Sequence, residues 1–534
     1  MKKLLLYATF YLFLSVVGQA QQLVKQSASP KLVVGLMVDQ MRWDYIYRFQ
    51  SRYSEHGFKR ILREGFSCEN TFIPYAQTVT AAGHASVYTG SVPSINGIMG
   101  NDWYDQSLNK YVYCTEDNAV AIVGGGKGGP MSPKNLKTTT ITDELELATN
   151  FRSKVIGVAI KDRGSILPAG HSADGAYWYD GTTGNFVSST WYMKQLSPWA
   201  DAFNQRKVVD SLYRQNWNLS YPFTSYTQSN ISSTRYVNSP FPRKLEDFVA
   251  KDYGQIASTP SGNTLTFAFS KAAIEGEMLG ADSIPDFLAI SLSSPDYIGH
   301  AFGPNSVEIE DNYLKLDREL AAFFDYLDKK IGKGKYLLFL TADHAVSHSP
   351  GFMMDHQLPA KAMKSSDKAE LATKKQFGLK RLVKATANYQ LYLDRAAIDS
   401  AGADFGAVKS FYVQELNKDE DVLMAFDNAH INDANLPQEY REMFQKGFNY
   451  KLAGDIQVVY NSGNFFTSSL VGATHGTMYA YDSHIPLLWM GWGVKQGTSH
   501  RTVYMSDIAA TVAALLKIQV PSGNVGSVIG ELIK

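Results

Sequence analysis

The sequence predicts an α/β protein: a mostly parallel central sheet flanked by helices, with two cap insertions. Three observations carry that prediction. Short apolar runs recur along the chain and end in polar residues, helical patterns lie between them, and two long stretches fit neither pattern. Runs of this length rich in Val, Ile and Leu are what strands buried on both faces require, because helices cover a parallel sheet on each side.

In chain order, "KLVVGLMVD" ends at Asp39, "KVIGVAIKDR" at Lys161 to Arg163, "DFLAISLSSPD" at Asp296 and "KYLLFLTADH" at Asp343-His344, and "HIPLLWMGWG" follows near the C-terminus. Ligands of open α/β sheets bind beyond the carboxyl ends of the strands, so these polar residues are expected along one edge. Periodicity predicts a helix over 306–332, "SVEIEDNYLKLDRELAAFFDYLDKKIG", and another over 506–518, capped by Ser506. The stretch 170–270 is rich in Tyr, Trp, Ser and Asn, and 350–465 is lysine-rich and then acidic. Both are read as insertions that cap the site within one catalytic domain, 31–534.

The 534 residues carry 51 Lys+Arg and 51 Asp+Glu, so there is no overall basic field and nucleic acid is not an expected partner. The start, "MKKLLLYATFYLFLSVVGQAQQ", has two lysines, an apolar run from Leu4 to Val17 and small residues at Gly18 and Ala20. It reads as a secretory signal peptide, residues 1–20. The run is shorter than the ~20 residues that span a bilayer, and nothing later in the chain is long and apolar enough. The mature chain is expected in the periplasm or outside the cell, with no stable membrane insertion. Export to an oxidising compartment makes Cys68 and Cys114 a candidate disulfide.

Gathered at the strand ends are Asp39, Asp296 with His300, Asp343 with His344, and His475 of "GATHGT". Three carboxylates and three imidazoles suit two divalent ions, and zinc is the first choice for mixed nitrogen and oxygen ligands. A spacing of four puts Asp296 and His300 on one helix face. Singly, each has an ordinary explanation as a turn aspartate or a satisfied histidine, so the argument rests on the six together. His348, Asp355, His356, Asp482 and His484 do not directly end a predicted strand and rank as loop or outer residues. The segment "TVTAAGHAS", 78–86, sets two threonines before a run of small residues and a histidine. Its local reading is a threonine N-cap on a closely packed helix.

The segments "VDQMRWD", "TVTAAGHASVYTG", "GIMGNDWYD", "KDRG", "SPDYIGHAFGP", "TADH" and "THGT" resemble the alkaline phosphatase superfamily. The likeness is greatest to its secreted bacterial monoesterase branch with a threonine nucleophile, and it runs from Val34 to the C-terminal "DIAATVAALLKI". What the resemblance implies is a two-zinc phosphatase in which Asp296, His300 and His475 hold one ion while Asp39, Asp343 and His344 hold the other with Thr80. It selects Thr80 over Thr78 as nucleophile, at a helix N-terminus whose dipole, with the metal, would stabilise the alkoxide. Ala81, Ala82 and Gly83 are then expected to let a phosphoryl group approach backbone N–H groups. A phosphothreonine formed and hydrolysed in two in-line steps implies net retention at phosphorus.

Charge counting bears on the substrate. Two zinc ions add four positive charges, and Asp39, Asp296, Asp343 and an ionised Thr80 subtract four, so a monoester with nearly two negative charges needs further cations. "KDRG" supplies Lys161 and Arg163, which alternation on a continuing strand would aim the same way, and the resemblance adds Asn101 as a third phosphate-binding group. The expected substrates are small-molecule phosphate monoesters. A phosphodiesterase or nucleotide pyrophosphatase of the same superfamily shares the threonine and metal sites, and the cation pair argues against it. A sulfatase is disfavoured because the nucleophile region lacks a Cys or Ser followed by Pro and Arg two and four positions on. From another class, a secreted metal-binding module would keep the ligands without turnover.

Overall fold

The computed structural model describes residues 29–228, 241–467 and 469–534; the segment read as a signal peptide, 1–20, lies outside the described residues. Eleven strands form the main sheet: β1 (Leu32–Val38), β2 (Phe66–Phe72), β3 (Ile122–Val123), β4 (Val155–Ala159), β5 (Gly175–Asp180), β6 (Asn185–Ser189), β7 (Asp286–Leu292), β8 (Tyr336–Thr341), β9 (His484–Ile485), β10 (Leu487–Gly491) and β11 (Gly497–Tyr504). Their order is β9-β2-β10-β8-β1-β7-β4-β5-β6-β3, with β11 paired to β2.

At the centre, β1 is buried along its whole length and runs parallel to both neighbours, Leu36 facing Leu340 on one side and Ile290 on the other. Five adjacent strands, β8-β1-β7-β4-β5, are parallel. The flanks are not. The "HIPLLWMGWG" run gives β10 antiparallel to β8, and β5 and β6 are joined by the tight turn 181–184. Two strands joined so closely can only be antiparallel. The sheet is therefore mixed, with a parallel core.

The stretch 170–270 differs most from its expected place. Among its described residues, β5 and β6 extend the main sheet in place of a cap, and the helix α3 (Ser261–Gly276) packs against β7 and β4, burying Leu265, Phe267, Phe269 and Ile274. The aromatic residues fill a core layer, with Phe186 stacked on Phe269 at 3.9 Å. Every residue of β5 is buried, Tyr177, Trp178 and Tyr179 included, so no polar alternation marks the strand. The stretch 350–465 builds a separate four-stranded sheet in the order Val383–Ala387, Gln390–Leu393, Ile456–Tyr460, Val422–Asp427, with its own core of Leu382, Leu393, Ile398, Val408 and Ile456.

Two further helices carry or buttress the ligand strands. α4 (Ser294–Phe302) follows β7, and α5 (Val307–Leu327) begins at Ser306, whose hydroxyl accepts the Ile309 N–H at 3.2 Å. The last, α6 (Asp507–Leu516), has Ser506 at its N-cap without a side-chain cap bond; the Asp507 carboxylate instead takes the Tyr504 and Ser527 amides. No described helix is long and apolar enough to cross a membrane.

Cys68 and Cys114 are both buried and free, which corrects the expected pair. Cys68 lies on β2 in the main core, whereas Cys114 packs with Ala81, Ala85 and Trp103 in a separate cluster. Burial pushes the Cys68 thiol up to about 12 and that of Cys114 higher still, so neither is a ready nucleophile.

Candidate active site

The helix α1 (Thr80–Thr89) is buried on all sides and starts after Val79, whose extended backbone makes Val79, not a threonine, the N-cap residue. Thr80 is the first helical residue, its Oγ1 3.4 Å from His344 Nε2 and 3.5 Å from Lys161 Nζ. The small residues that follow serve packing. A β-carbon on Gly83 would lie 2.3 Å from the Asp343 carbonyl oxygen, so the helix rests on the backbone of the ligand-bearing turn. The Ala81 amide is already engaged, donating to Asn101 Oδ1 at 2.9 Å. Of the amides expected to meet a phosphoryl group, that of Ala81 is taken by Asn101 and that of Gly83 by the Val79 carbonyl at 3.0 Å. What the Ala81 amide does is orient Asn101, leaving its NH2 group for another acceptor.

The six candidate ligands come together. Asp39 follows β1, Asp343 and His344 follow β8, Asp296 and His300 lie one turn apart on α4, and His475 sits on a loop ahead of the short helix Ala480–Ser483 that leads into β9. Ligand atoms of Asp39, Asp343 and His344 lie within 4.8 Å of one another, as do those of Asp296, His344 and His475. His300 joins the second group, its Nε2 being 3.2 Å from both Asp296 Oδ1 and His475 Nε2. His344 stands between the groups, its ring stacked on that of His475 at 3.5 Å.

The donor chemistry fits cations. Nδ1 of His344, His300 and His475 faces the carbonyls of Ala345, Ala473 and Thr78 at 3.0, 2.9 and 2.8 Å. Each carbonyl accepts a hydrogen bond from Nδ1–H, leaving all three Nε2 lone pairs to point inward, the tautomer a metal ligand needs. Asp39 Oδ1 and Asp343 Oδ2 are buried without hydrogen-bond partners. Burial raises the Asp39 carboxyl despite Lys161, and burial with the neighbouring Asp39 charge raises that of Asp343 well above the carboxylate range. Asp296 goes the other way: burial opposes it, yet Lys161 and His300 hold it well below that range. A centre that crowds three acids and then orphans two of their oxygens is built for positive charge.

Lys161 and Arg163 do not continue a strand. β4 ends at Ala159, and Lys161 is the N-cap of the helix α2 (Asp162–Ala169), which places Arg163 in its first turn. Lys161 Nζ lies 2.7 Å from Asp39 Oδ2 and 2.6 Å from Asp296 Oδ2, spanning the two ligand groups. Burial lowers its pKa, but the two acids outweigh that and keep it charged. Arg163 is held by Tyr113, which accepts from Nη1 at 2.9 Å and donates to Asp162 at 2.6 Å. Its buried Nε–H has no partner.

Two residues of the quoted segments are not among the candidates. Gln40, with φ +63, turns its amide N–H to Asp343 Oδ1 at 3.1 Å and its side chain to Asp296 Oδ1 at 2.6 Å. His84, one turn into α1, bridges the Thr80 carbonyl and Ser291 Oγ, both at 2.8 Å. The outer residues stay outside: His348 faces Asn305, His356 the Phe352 carbonyl, Asp482 the Thr477 amide and hydroxyl, and His484 the Glu69 carbonyl. Asp355 ends a short helix on the surface.

Residues 33–481 match the type I phosphodiesterase / nucleotide pyrophosphatase family. The chain belongs to that family. Alkaline phosphatase PhoV of Synechococcus elongatus is 49% identical over 524 residues, 95% of this chain and 94% of PhoV. Alkaline phosphatase PafA of Elizabethkingia meningoseptica is 49% identical over 516 residues, 94% of each. The crystal structure of wild-type PafA superposes with a TM-score of 0.91 at 48% identity, covering 95% of this chain and 99% of that one. Within the family, the chain is of the PafA-like alkaline phosphatase kind.

Proposed function

We propose that this chain is an exported two-zinc phosphatase, periplasmic or secreted, that hydrolyses small-molecule phosphate monoesters through a phosphothreonine at Thr80. Its relatives PhoV and PafA are named alkaline phosphatases, and the ligand geometry supports a metal centre of that kind. Asp39, Asp343, His344 and Thr80 would hold one ion, and Asp296, His300 and His475 the other. Zinc bound there would supply positive charge to the attacking and leaving oxygens.

Thr80 Oγ attacks phosphorus in line, a P–O bond forms as the ester oxygen departs, and water displaces the threonine in a second in-line step. Lys161 Nζ, 3.5 Å from Thr80 Oγ1, favours the alkoxide. Asn101, locked by the Ala81 amide, presents its NH2 to a phosphoryl oxygen. Arg163, steered by Tyr113, offers a fork with a spare Nε–H. What supports the monoester reading is Lys161 Nζ 3.5 Å from Thr80 Oγ1, with Asn101 held on the neighbouring Ala81 amide and Arg163 two residues beyond Lys161, since a diester has one charge fewer to neutralise.

The test compares p-nitrophenyl phosphate with its bis-ester on zinc-loaded protein, before and after Lys161→Ala with Arg163→Ala. Each charge-assisted contact is worth roughly 1.5–3 kcal/mol. The double variant is expected to lose on the order of a hundredfold to ten-thousandfold on the monoester and far less on the diester. Equal losses at full metal occupancy would return the diesterase reading.

A further inference from the structure

The hairpin tip Asn388-Tyr389, part of the separate four-stranded sheet, reaches the candidate site. Both residues have left-handed backbones, φ +52 and +60. A two-residue hairpin loop of this hand favours glycine at its second position, and a tyrosine there is held only where surrounding contacts over-determine it. Those contacts are present. The Tyr389 carbonyl accepts Val458 N–H at 2.9 Å and Gln457 Nε2 at 3.1 Å, and Asn388 Nδ2 donates to the Asp102 carbonyl at 2.9 Å.

The tip thereby bridges two loops of the site. Asn388 fills the space against Gly100, next to Asn101, where a β-carbon would come within 2.6 Å of its carboxamide. Tyr389 lies against Gly476, next to His475, where a β-carbon would sit 3.7 Å from its ring and 3.6 Å from Val79, the residue before Thr80. Tyr460 meets the Tyr389 ring edge-on at 5.7 Å, and the two line a cleft with Gln77, Thr477 and Tyr479. None of these five side chains carries a formal charge at neutral pH, so the surroundings of the Tyr389 ring are aromatic and neutral.

We propose that Tyr389 is a specificity-determining residue, forming the wall of the leaving-group side against which a monoester with a flat aromatic leaving group stacks. The proposal rests on the monoesterase reading above. A phosphoryl group between Thr80, Asn101 and the cations would direct its ester oxygen toward the Asn101 and His475 loops, the two that the Asn388-Tyr389 tip bridges. Contacts between aromatic rings give roughly two- to tenfold effects.

The experiment measures kcat/KM for phenyl phosphate and methyl phosphate in the wild type and in Tyr389→Phe, Tyr389→Ala and Tyr389→Gly, with folding verified by circular dichroism. The phenyl-to-methyl ratio should fall about three- to tenfold in the Ala and Gly variants and stay near the wild-type ratio in the Phe variant. Glycine adopts the left-handed backbone without strain, so its variant separates loss of the ring from collapse of the hairpin. An unchanged ratio in the folded Gly variant, or parallel losses on both substrates, overturns the proposal. Wild-type protein that cleaves diesters and neither monoester takes down both readings, an outcome that wild-type rates alone distinguish.

Discussion

Thr78 donates its hydroxyl to the Thr477 carbonyl at 2.8 Å, accepts the Gly476 amide at 3.1 Å, and offers its own carbonyl to His475 Nδ1 at 2.8 Å. Thr80, two residues on, makes no such clamp; its hydroxyl faces His344 and Lys161. On the proposed function, the pair divides chemistry from support. Thr80→Ala should abolish the acid-stable phosphoprotein trapped by rapid quench, while Thr80→Ser keeps it. Thr78→Val should still form it; valine keeps the backbone carbonyl that holds His475 but loses the hydroxyl that clamps residues 476 and 477, so zinc should bind more weakly, by less than the roughly 10–100-fold that losing a ligating histidine's own partner costs. Chelator competition measures this, and label found on Thr78 would overturn the assignment. The two threonines could not be told apart by local pattern, since either suits a helix start; family resemblance chose between them. The six ligand candidates were legible because strand ends of an α/β sheet converge, whereas Gln40 and His84 were not, being ordinary polar residues until the fold sets them beside Asp296 and Thr80.

At the scale of elements, the decisive contact is α1 lying on the turn after β8. A β-carbon at position 83 would sit 2.3 Å from the Asp343 carbonyl oxygen and 2.6 Å from Asp343 Cβ, and backbone on that side cannot swing away like a flexible side chain. In an exposed helix Gly→Ala gains about 1 kcal/mol. Here overpacking, typically about 1–3 kcal/mol, should win. Gly83→Ala is expected to lower the urea midpoint and, by displacing Asp343, to reduce zinc occupancy. Unchanged midpoint and metal content would show that the helix does not bear on the turn. Element assignment from sequence failed where polar alternation was lost. In β5 aromatic residues are buried on both faces, so a sheet strand read as part of a cap, and after β4 a helix begins at Asp162, so strand alternation could not aim Lys161 and Arg163. The cysteines failed for a related reason, because pairing depends on which core each thiol enters.

Across the whole molecule the sheet has two ends with different demands. The carboxyl end gathers acids for cations, while the amino end holds acids that meet no metal group. There Asp286 opens β7 and accepts the Lys154 and Gly280 amides at 2.8 and 2.7 Å, and Asp174 precedes β5 and accepts the Val155 amide at 2.8 Å. Glu146 is 2% exposed, and its Oε1 has no partner. Burial, then the Asp174 and Asp286 charges, push its carboxyl up to about 8 from 4.5, while burial pushes Asp286 up to about 6. A seven-residue strand separates this cluster from the candidate active site by roughly 20 Å, so its titration can be read apart from catalysis. The folded-state pKa of Glu146 lies above the unfolded value. Its contribution to stability is therefore complete below about pH 4.5 and lost as pH rises through about 8, where the folded state must hold a buried negative charge on Glu146 beside that of Asp174. Glu146→Gln keeps the shape, removes the proton equilibrium and gives Asp174 an N–H donor at every pH. Comparing the two proteins at each pH cancels what the rest of the chain contributes. Their melting temperatures should nearly coincide at pH 5, and the variant should melt about 1–3 °C higher at pH 9. A difference that does not change between pH 5 and pH 9 would show that Glu146 titrates in the folded protein as it does in the unfolded chain.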